Sequence, residues 1–94
     1  MNTLQKQVAD FMEKTGWPYW SSDKMIAKLE EEVSETKVEI LATPVDIEKL
    51  KMEIGDTLFA AGCILNKFEF DADECLQMAI KKNWDRDVIG GGKK

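Results

Sequence analysis

Histidine is absent from this sequence of 94 residues. Its absence excludes Ser-His-Asp and Cys-His catalysis, histidine-ligated zinc and a histidine general base. Cysteine is scarce, since only Cys63 and Cys75 occur, and they form no CxxC or other zinc spacing. We interpret both as buried, reduced thiols, which predicts a cytoplasmic protein.

Positive charge and long apolar runs are also limited. Thirteen Lys and Arg residues against eighteen Asp and Glu residues give a net charge of −5. Such a chain lacks the basic surface that binds nucleic acid or an anionic membrane. The longest uncharged run, residues 57–66, is far shorter than the roughly 20 residues of a membrane-spanning helix. Residues 1–10 are polar and contain no apolar core of a signal peptide. We therefore expect neither a nucleic-acid partner nor a membrane.

What remains is a pattern of helices. Apolar residues recur in steps of three and four in four segments, which Gly, Pro and helix-capping residues separate. The predicted helices cover residues 2–14, 21–41, 47–67 and 71–87. No segment alternates with period two, so we expect no sheet.

The helices predict one all-α domain with a four-helix-bundle-like fold over residues 1–89, followed by a flexible Gly/Lys tail at 90–94. The third helix is apolar around most of its circumference, which places it in the centre of the bundle. Because so short a chain buries only a modest core, we expect oligomerisation to complete the fold.

Two acidic pairs are hard to explain by structure alone. Glu32 and Glu35 share a face of the second helix, and Glu53 and Asp56 share a face of the third. A charge run on one helix is usually a solvated face, and nearby lysines can relieve its repulsion. Asp56, however, is the only charge among residues 54–65, and a buried carboxylate is costly without a counter-charge. If the two helices are antiparallel, four carboxylates meet, and all-oxygen ligands suit Mg²⁺ or Mn²⁺.

These motifs resemble a known family. The run LEEEVSE at residues 29–35, followed after a gap by EIGDTLF at 53–59, is similar to the ExxE…ExxD pattern of the MazG-like all-α nucleoside triphosphate pyrophosphatases. That superfamily includes dimeric dUTPases and dCTP pyrophosphatases. Gly-Trp-Pro at 16–18 and the Lys, Asn and Arg near the end of the fourth helix extend the resemblance over residues 11–87.

The resemblance implies Mg²⁺-dependent hydrolysis of an NTP or dNTP to NMP or dNMP and pyrophosphate. Metal-activated water would attack the α-phosphorus, and Mn²⁺ is the expected substitute metal. It also implies a homodimer or homotetramer with the active site at a subunit interface. The implied site residues are the metal ligands Glu32, Glu35, Glu53 and Asp56, the water-activating Glu31 or Glu35, the phosphate-binding Lys82, Asn83 and Arg86, and the base-stacking Trp17 and Trp20.

Several alternatives stay open. Lys82 and Arg86 lie four residues apart, which suits a triphosphate but also suits a basic helix C-terminus. Trp17 and Trp20 can equally serve the core or a dimer contact. The whole chain can be a non-catalytic helical dimerisation or protein-interaction module, although an inert scaffold would gain by replacing Asp56. A phosphoribosyl-ATP hydrolase is a further option, but the Lys-rich, Ala-rich acidic helix of those relatives is not seen here. Base specificity stays undetermined.

Overall fold

A computed structural model describes residues 3–90 of the chain. The elements are α1 (Thr3–Thr15), α2 (Ser22–Ile40), α3 (Ile47–Lys67) and α4 (Ala72–Trp84), followed by a π-helical turn at Asp85–Ile89. No strand occurs in this range, and the all-α prediction is confirmed. The first three helices end within one residue of their predicted bounds. The fourth was predicted to run to residue 87, but its α-helical part stops earlier. Of the predicted tail, only Gly90 falls within the described residues.

The helix starts are fixed by side-chain caps. Ser21, Asp46 and Asp71 each accept a hydrogen bond from the backbone N–H three residues further along the chain. Each cap satisfies a backbone donor that the helix leaves unpaired, and such caps contribute about 1 kcal/mol apiece. Gly16, at the end of α1, adopts a φ of 72°, a conformation that glycine tolerates better than other residues.

The centre of the fold is α3. It packs against α2 and against α1, whereas the main contacts of α4 are with the π-helical turn that follows it. The buried apolar core is small and consists of Val8 and Met12 from α1, Met25 from α2 and Ala60 from α3. One copy of the chain therefore forms a three-helix core from which α4 extends.

A buried glutamine on α1 forms hydrogen bonds with both ends of the loop between α3 and α4. Gln5 is 2% exposed, and its Nε2 donates to the Phe70 carbonyl at 2.6 Å and to Asn66 Oδ1 at 3.1 Å. Its Oε1 accepts from the Ala72 backbone N–H at 2.7 Å, and Asn66 Nδ2 donates back to the Gln5 carbonyl at 3.0 Å. This network fixes where α4 begins.

Large apolar side chains remain exposed on every helix. On α3, Ile54 and Leu58 are 43% and 49% exposed, and Trp84 on α4 is 56% exposed. Extended apolar surface of this kind is typical of an interaction site. Within residues 3–90, no helix combines the length and the apolar character needed to cross a membrane.

Two glycines on α3 offer a matched test of the packing. A Cβ at Gly62 would lie 2.9 Å from Val8 Cγ2 and 3.0 Å from Leu4 Cδ2, whereas one at Gly55 would meet nothing within 4 Å. We expect Gly62→Ala to lower the free energy of unfolding by about 1–3 kcal/mol, because it overpacks the α1–α3 contact. Gly55→Ala should raise it by up to about 1 kcal/mol, because alanine favours the helix. Urea unfolding followed by circular dichroism measures both, and equal effects would contradict the packing described.

Candidate functional site

Two threonine hydroxyls join α2 to α3 beside the acidic pairs. Thr36 Oγ1 lies 2.8 Å from the backbone oxygen of Glu32, 3.3 Å from that of Glu53 and 3.1 Å from Thr57 Oγ1. Thr57 donates to the Glu53 carbonyl at 3.0 Å. These contacts hold the two helices in the register that sets the glutamates opposite each other. Neither threonine was predicted as a site residue from the sequence, although each follows an acidic residue by one helical turn.

Three of the four predicted metal ligands lie together. Carboxylate oxygens of Glu32, Glu35 and Glu53 are within 4.8 Å of one another. Glu32 is 4% exposed, and the buried Oε1 atoms of Glu32 and Glu53 have no hydrogen-bond partner among the described residues. Such a trio is self-repelling, and each unpartnered oxygen carries a desolvation cost. The donor set therefore fits a hard cation such as Mg²⁺ or Mn²⁺.

The fourth predicted ligand, Asp56, occupies a neighbouring position. It is exposed and lines a cleft together with Glu32, but its carboxylate is not part of the three-glutamate cluster. A spacing of three residues places Asp56 on the same side of α3 as Glu53, yet of the two only Glu53 joins the cluster. Its role as a ligand stays a prediction.

Glu31 and Glu32 share one lysine. Lys28 Nζ lies 2.8 Å from Glu32 Oε2 and 3.1 Å from Glu31 Oε1. These hydrogen bonds, the one to Glu32 above all, raise the pKa of Lys28 and keep it protonated. Glu31, predicted to activate water, is thus paired to Lys28 and lies outside the cluster. The lysine neutralises one charge of the acidic site and leaves the others unbalanced.

The cleft beside the cluster is largely aromatic. It has a volume of about 500 Å³, and its walls include Trp17, Tyr19, Trp20 and Phe59. Trp17 and Trp20 are 55% and 47% exposed, so neither is a core residue of this chain. A concave, mostly apolar cleft with a few converging polar groups is the usual form of a small-molecule site. The two tryptophans were predicted from the sequence as site residues, whereas Tyr19 and Phe59 were not.

The family model of the MazG nucleotide pyrophosphohydrolase domain matches residues 20–88. That range includes α2, α3, α4 and both acidic pairs. The chain belongs to the MazG family. No curated protein and no solved structure matches it. The MazG family is generally metal-dependent, in agreement with the acidic cluster. The match begins at Trp20, so α1 and Trp17 lie outside the part of the MazG domain that the family model covers.

The predicted phosphate-binding residues of this MazG domain lie away from the cleft. Lys82, Asn83 and Arg86 are on α4 and the turn after it, and none of them lines the cleft. Arg86 instead donates to Asp87 at 2.8 Å and 3.0 Å and to Asn83 at 2.6 Å. The hydrogen bond with Asp87 raises the pKa of Arg86. One chain therefore does not bring these groups to the acidic cluster, and their role stays a prediction.

The acidic cluster of this MazG domain also changes the pKa of one of its own residues, Glu35. Loss of hydration raises the pKa of Glu35, and repulsion from Glu32 and Glu53 adds to the effect. Glu31 contributes a smaller repulsion of the same sign. The folded state therefore holds a proton on Glu35 more tightly than the unfolded chain does.

This shift sets a pH dependence for the metal-free protein. The pKa of Glu35 is 4.5 in an ordinary setting and is higher in the folded protein. The contribution of Glu35 to the free energy of unfolding therefore falls as the pH rises from 4.5 through the raised pKa. We expect the free energy of unfolding of the wild type, relative to Glu35→Gln, to fall over that interval and then to level off. Chemical denaturation at a series of pH values, with EDTA present, measures the difference. A difference that rises with pH would contradict the assignment.

Proposed function

We propose that this MazG domain is a Mg²⁺-dependent nucleoside triphosphate pyrophosphohydrolase. It would convert an NTP or dNTP and water to NMP or dNMP and pyrophosphate. The observation that supports this best is the trio of Glu32, Glu35 and Glu53, with two unpartnered buried oxygens, beside an aromatic cleft. Membership of the family supports the reaction class.

The acidic site accepts a polyanionic substrate only when a cation is bound. Glu32, Glu35 and Glu53 would hold that cation, and Asp56 would join them from the wall of the cleft. A cation held there would neutralise phosphate oxygens, lower the pKa of a coordinated water and reverse the local sign of the potential, so the net charge of −5 would not oppose nucleotide binding.

A glutamate of α2 would accept the proton of the attacking water. Glu35 is one candidate, because it lies in the cluster that would hold the cation and its coordinated water. Glu31 is the second candidate, since it lies on the same helix one residue before Glu32. Attack at the α-phosphorus releases pyrophosphate directly. A covalent nucleophile is not required.

Trp17 and Trp20 would hold the base. Both line the cleft that also contains Glu32 and Asp56, so a stacked base would place its phosphates on the acidic side. Stacking is tolerant of base identity, since every base has a π-face. Discrimination between bases would therefore come from polar groups around the ring edge and not from the tryptophans.

A homodimer or homotetramer would complete the site. Apolar side chains are exposed on α3 and α4, and the basic residues of α4 lie away from the cleft of their own chain. In an assembly, α4 of one protomer would bring Lys82, Asn83 and Arg86 to the phosphates bound by another. Light scattering after size-exclusion chromatography tests this, and a monomer at micromolar concentration would contradict it.

The activity is tested by measuring pyrophosphate and monophosphate release with Mg²⁺. The substrates are the ordinary ribonucleoside and deoxyribonucleoside triphosphates and dUTP. Release of both products from at least one of them, and none with EDTA, is the expected result. The alternative of a non-catalytic helical module predicts no release and no Mg²⁺-induced rise in melting temperature, because only binding to the folded state raises it.

A further inference from the structure

Lys28 is the only basic residue that lines the cleft in the described part of the chain. Its side chain is 43% exposed, whereas the side chain of its partner Glu32 is 5% exposed. The carboxylate is therefore the buried member of the pair, and the lysine is the member that solvent and ligand can reach. A flexible four-carbon stem and three ammonium donors let Lys28 change partners at little cost.

Lys28 binds one of the two carboxylate oxygens of Glu32, a group that would also bind the cation. Lys28 Nζ contacts Glu32 Oε2, while Glu32 Oε1 is buried and has no partner among residues 3–90. The ammonium thus offsets part of the repulsion within the acidic cluster while no divalent cation is bound. Once a cation neutralises Glu32, the lysine loses its strongest partner and keeps only the exposed Glu31.

We infer that Lys28 exchanges partners, pairing with Glu32 and Glu31 in the free site and binding nucleotide phosphate once a divalent cation occupies the cluster. This inference rests on the proposed function for the identity of the ligand. The other basic candidates, Lys82 and Arg86, do not line the cleft of their own chain. Lys28 is thus the cation that each chain supplies to its own substrate.

The first test uses the metal alone. Lys28→Met removes the competing ammonium, so Mg²⁺ affinity without nucleotide, measured by calorimetry, should rise by about threefold to tenfold, the scale of a partly screened charge interaction. Lys24→Met is the matched control, because Lys24 lies one turn earlier on α2 and does not line the cleft. It should leave the affinity unchanged. A purely structural lysine predicts unchanged or weaker Mg²⁺ binding in Lys28→Met, and that outcome would overturn the inference.

The second test uses nucleotide. With saturating Mg²⁺, Lys28→Met should weaken binding of a non-hydrolysable α,β-methylene triphosphate by about tenfold or more, because a charge-assisted hydrogen bond is lost. Lys28→Arg should restore most of this binding, and Lys24→Met should not alter it. The opposite signs of the metal and nucleotide effects distinguish an exchanging lysine from a misfolded variant. Unaltered analogue binding in Lys28→Met would contradict the inference.

A measurement on the wild type removes the risk that the variants fold poorly. Isotope-labelled lysine lets the side-chain signals of Lys28 be followed by NMR, first with Mg²⁺ and then with the analogue. Two successive shifts are expected, one for each change of partner. A Lys28 signal that does not shift when the analogue is added would contradict the inferred change of partner. Because neither binding experiment needs turnover, an inactive wild type would contradict the proposed function and leave the test of Lys28 intact.

Discussion

Glu53→Gln should eliminate pyrophosphate release and stabilise the metal-free protein at the same time. The substitution removes one charge from three carboxylates whose oxygens lie within 4.8 Å of one another, and it gives the site an amide donor. We expect activity to fall by at least about a hundredfold, the scale of losing a group that stabilises transition-state charge. The free energy of unfolding without metal should rise by about 1 kcal/mol, the net value of one hydrogen bond.

The opposite signs of these two effects identify a ligand cluster. A residue that only supports the fold would lose stability and activity together. Glu48→Gln is the matched control, since Glu48 lies on the same helix, is 85% exposed and lies 3.8 Å from Lys51. It should change neither quantity. Product assays and urea unfolding, both with and without Mg²⁺, measure them, and lower metal-free stability in Glu53→Gln would refute the repulsion argument.

Asp56→Asn should also abolish turnover, but with little change in metal-free stability. Asp56 is exposed and lies outside the cluster, so removing its charge relieves little repulsion. We expect the free energy of unfolding in EDTA to stay within about 0.5 kcal/mol of the wild type, as for most surface substitutions. The stabilisation by Mg²⁺ should shrink, because a proposed ligand is lost.

Comparison of the two variants shows where the cation is held. If Asp56→Asn keeps substantial activity and full Mg²⁺ stabilisation, Asp56 is a residue of the cleft wall and three glutamates form the whole ligand set. Loss of Mg²⁺ stabilisation in both variants supports four ligands. Assays of product release and melting temperature across a series of Mg²⁺ concentrations distinguish these results.

The local features of the fold follow from the sequence. Ser21, Asp46 and Asp71 are residue types whose side chains bind backbone N–H groups, and each lies directly before an observed helix. Spacing by three identified the acidic pairs, because that periodicity is a property of the helix itself. To predict that Glu32 and Glu53 lie close together across two helices, one further assumption was needed, namely that α2 and α3 run antiparallel.

The longer-range features do not follow from such patterns. Apolar periodicity shows which face of α4 avoids water, but it does not show which surface covers that face. The position of α4 depends on hydrogen bonds of Gln5 with residues more than sixty positions away in the chain, and no local pattern specifies them. The absence of Asp56 from the three-glutamate cluster depends in the same way on side-chain geometry and not on spacing alone.

The Gln5 network also has a mechanical consequence. It contacts α4 at its first residue, and Lys82 and Arg86 lie near the opposite end of α4 and in the turn that follows it. At 1.5 Å of rise per residue, Arg86 lies about 20 Å from this anchor, and a tilt of about 10° moves it by about 3 Å. That displacement equals the length of a hydrogen bond. A change of tilt at Gln5 would therefore be enough to make or break a contact at the far end of α4.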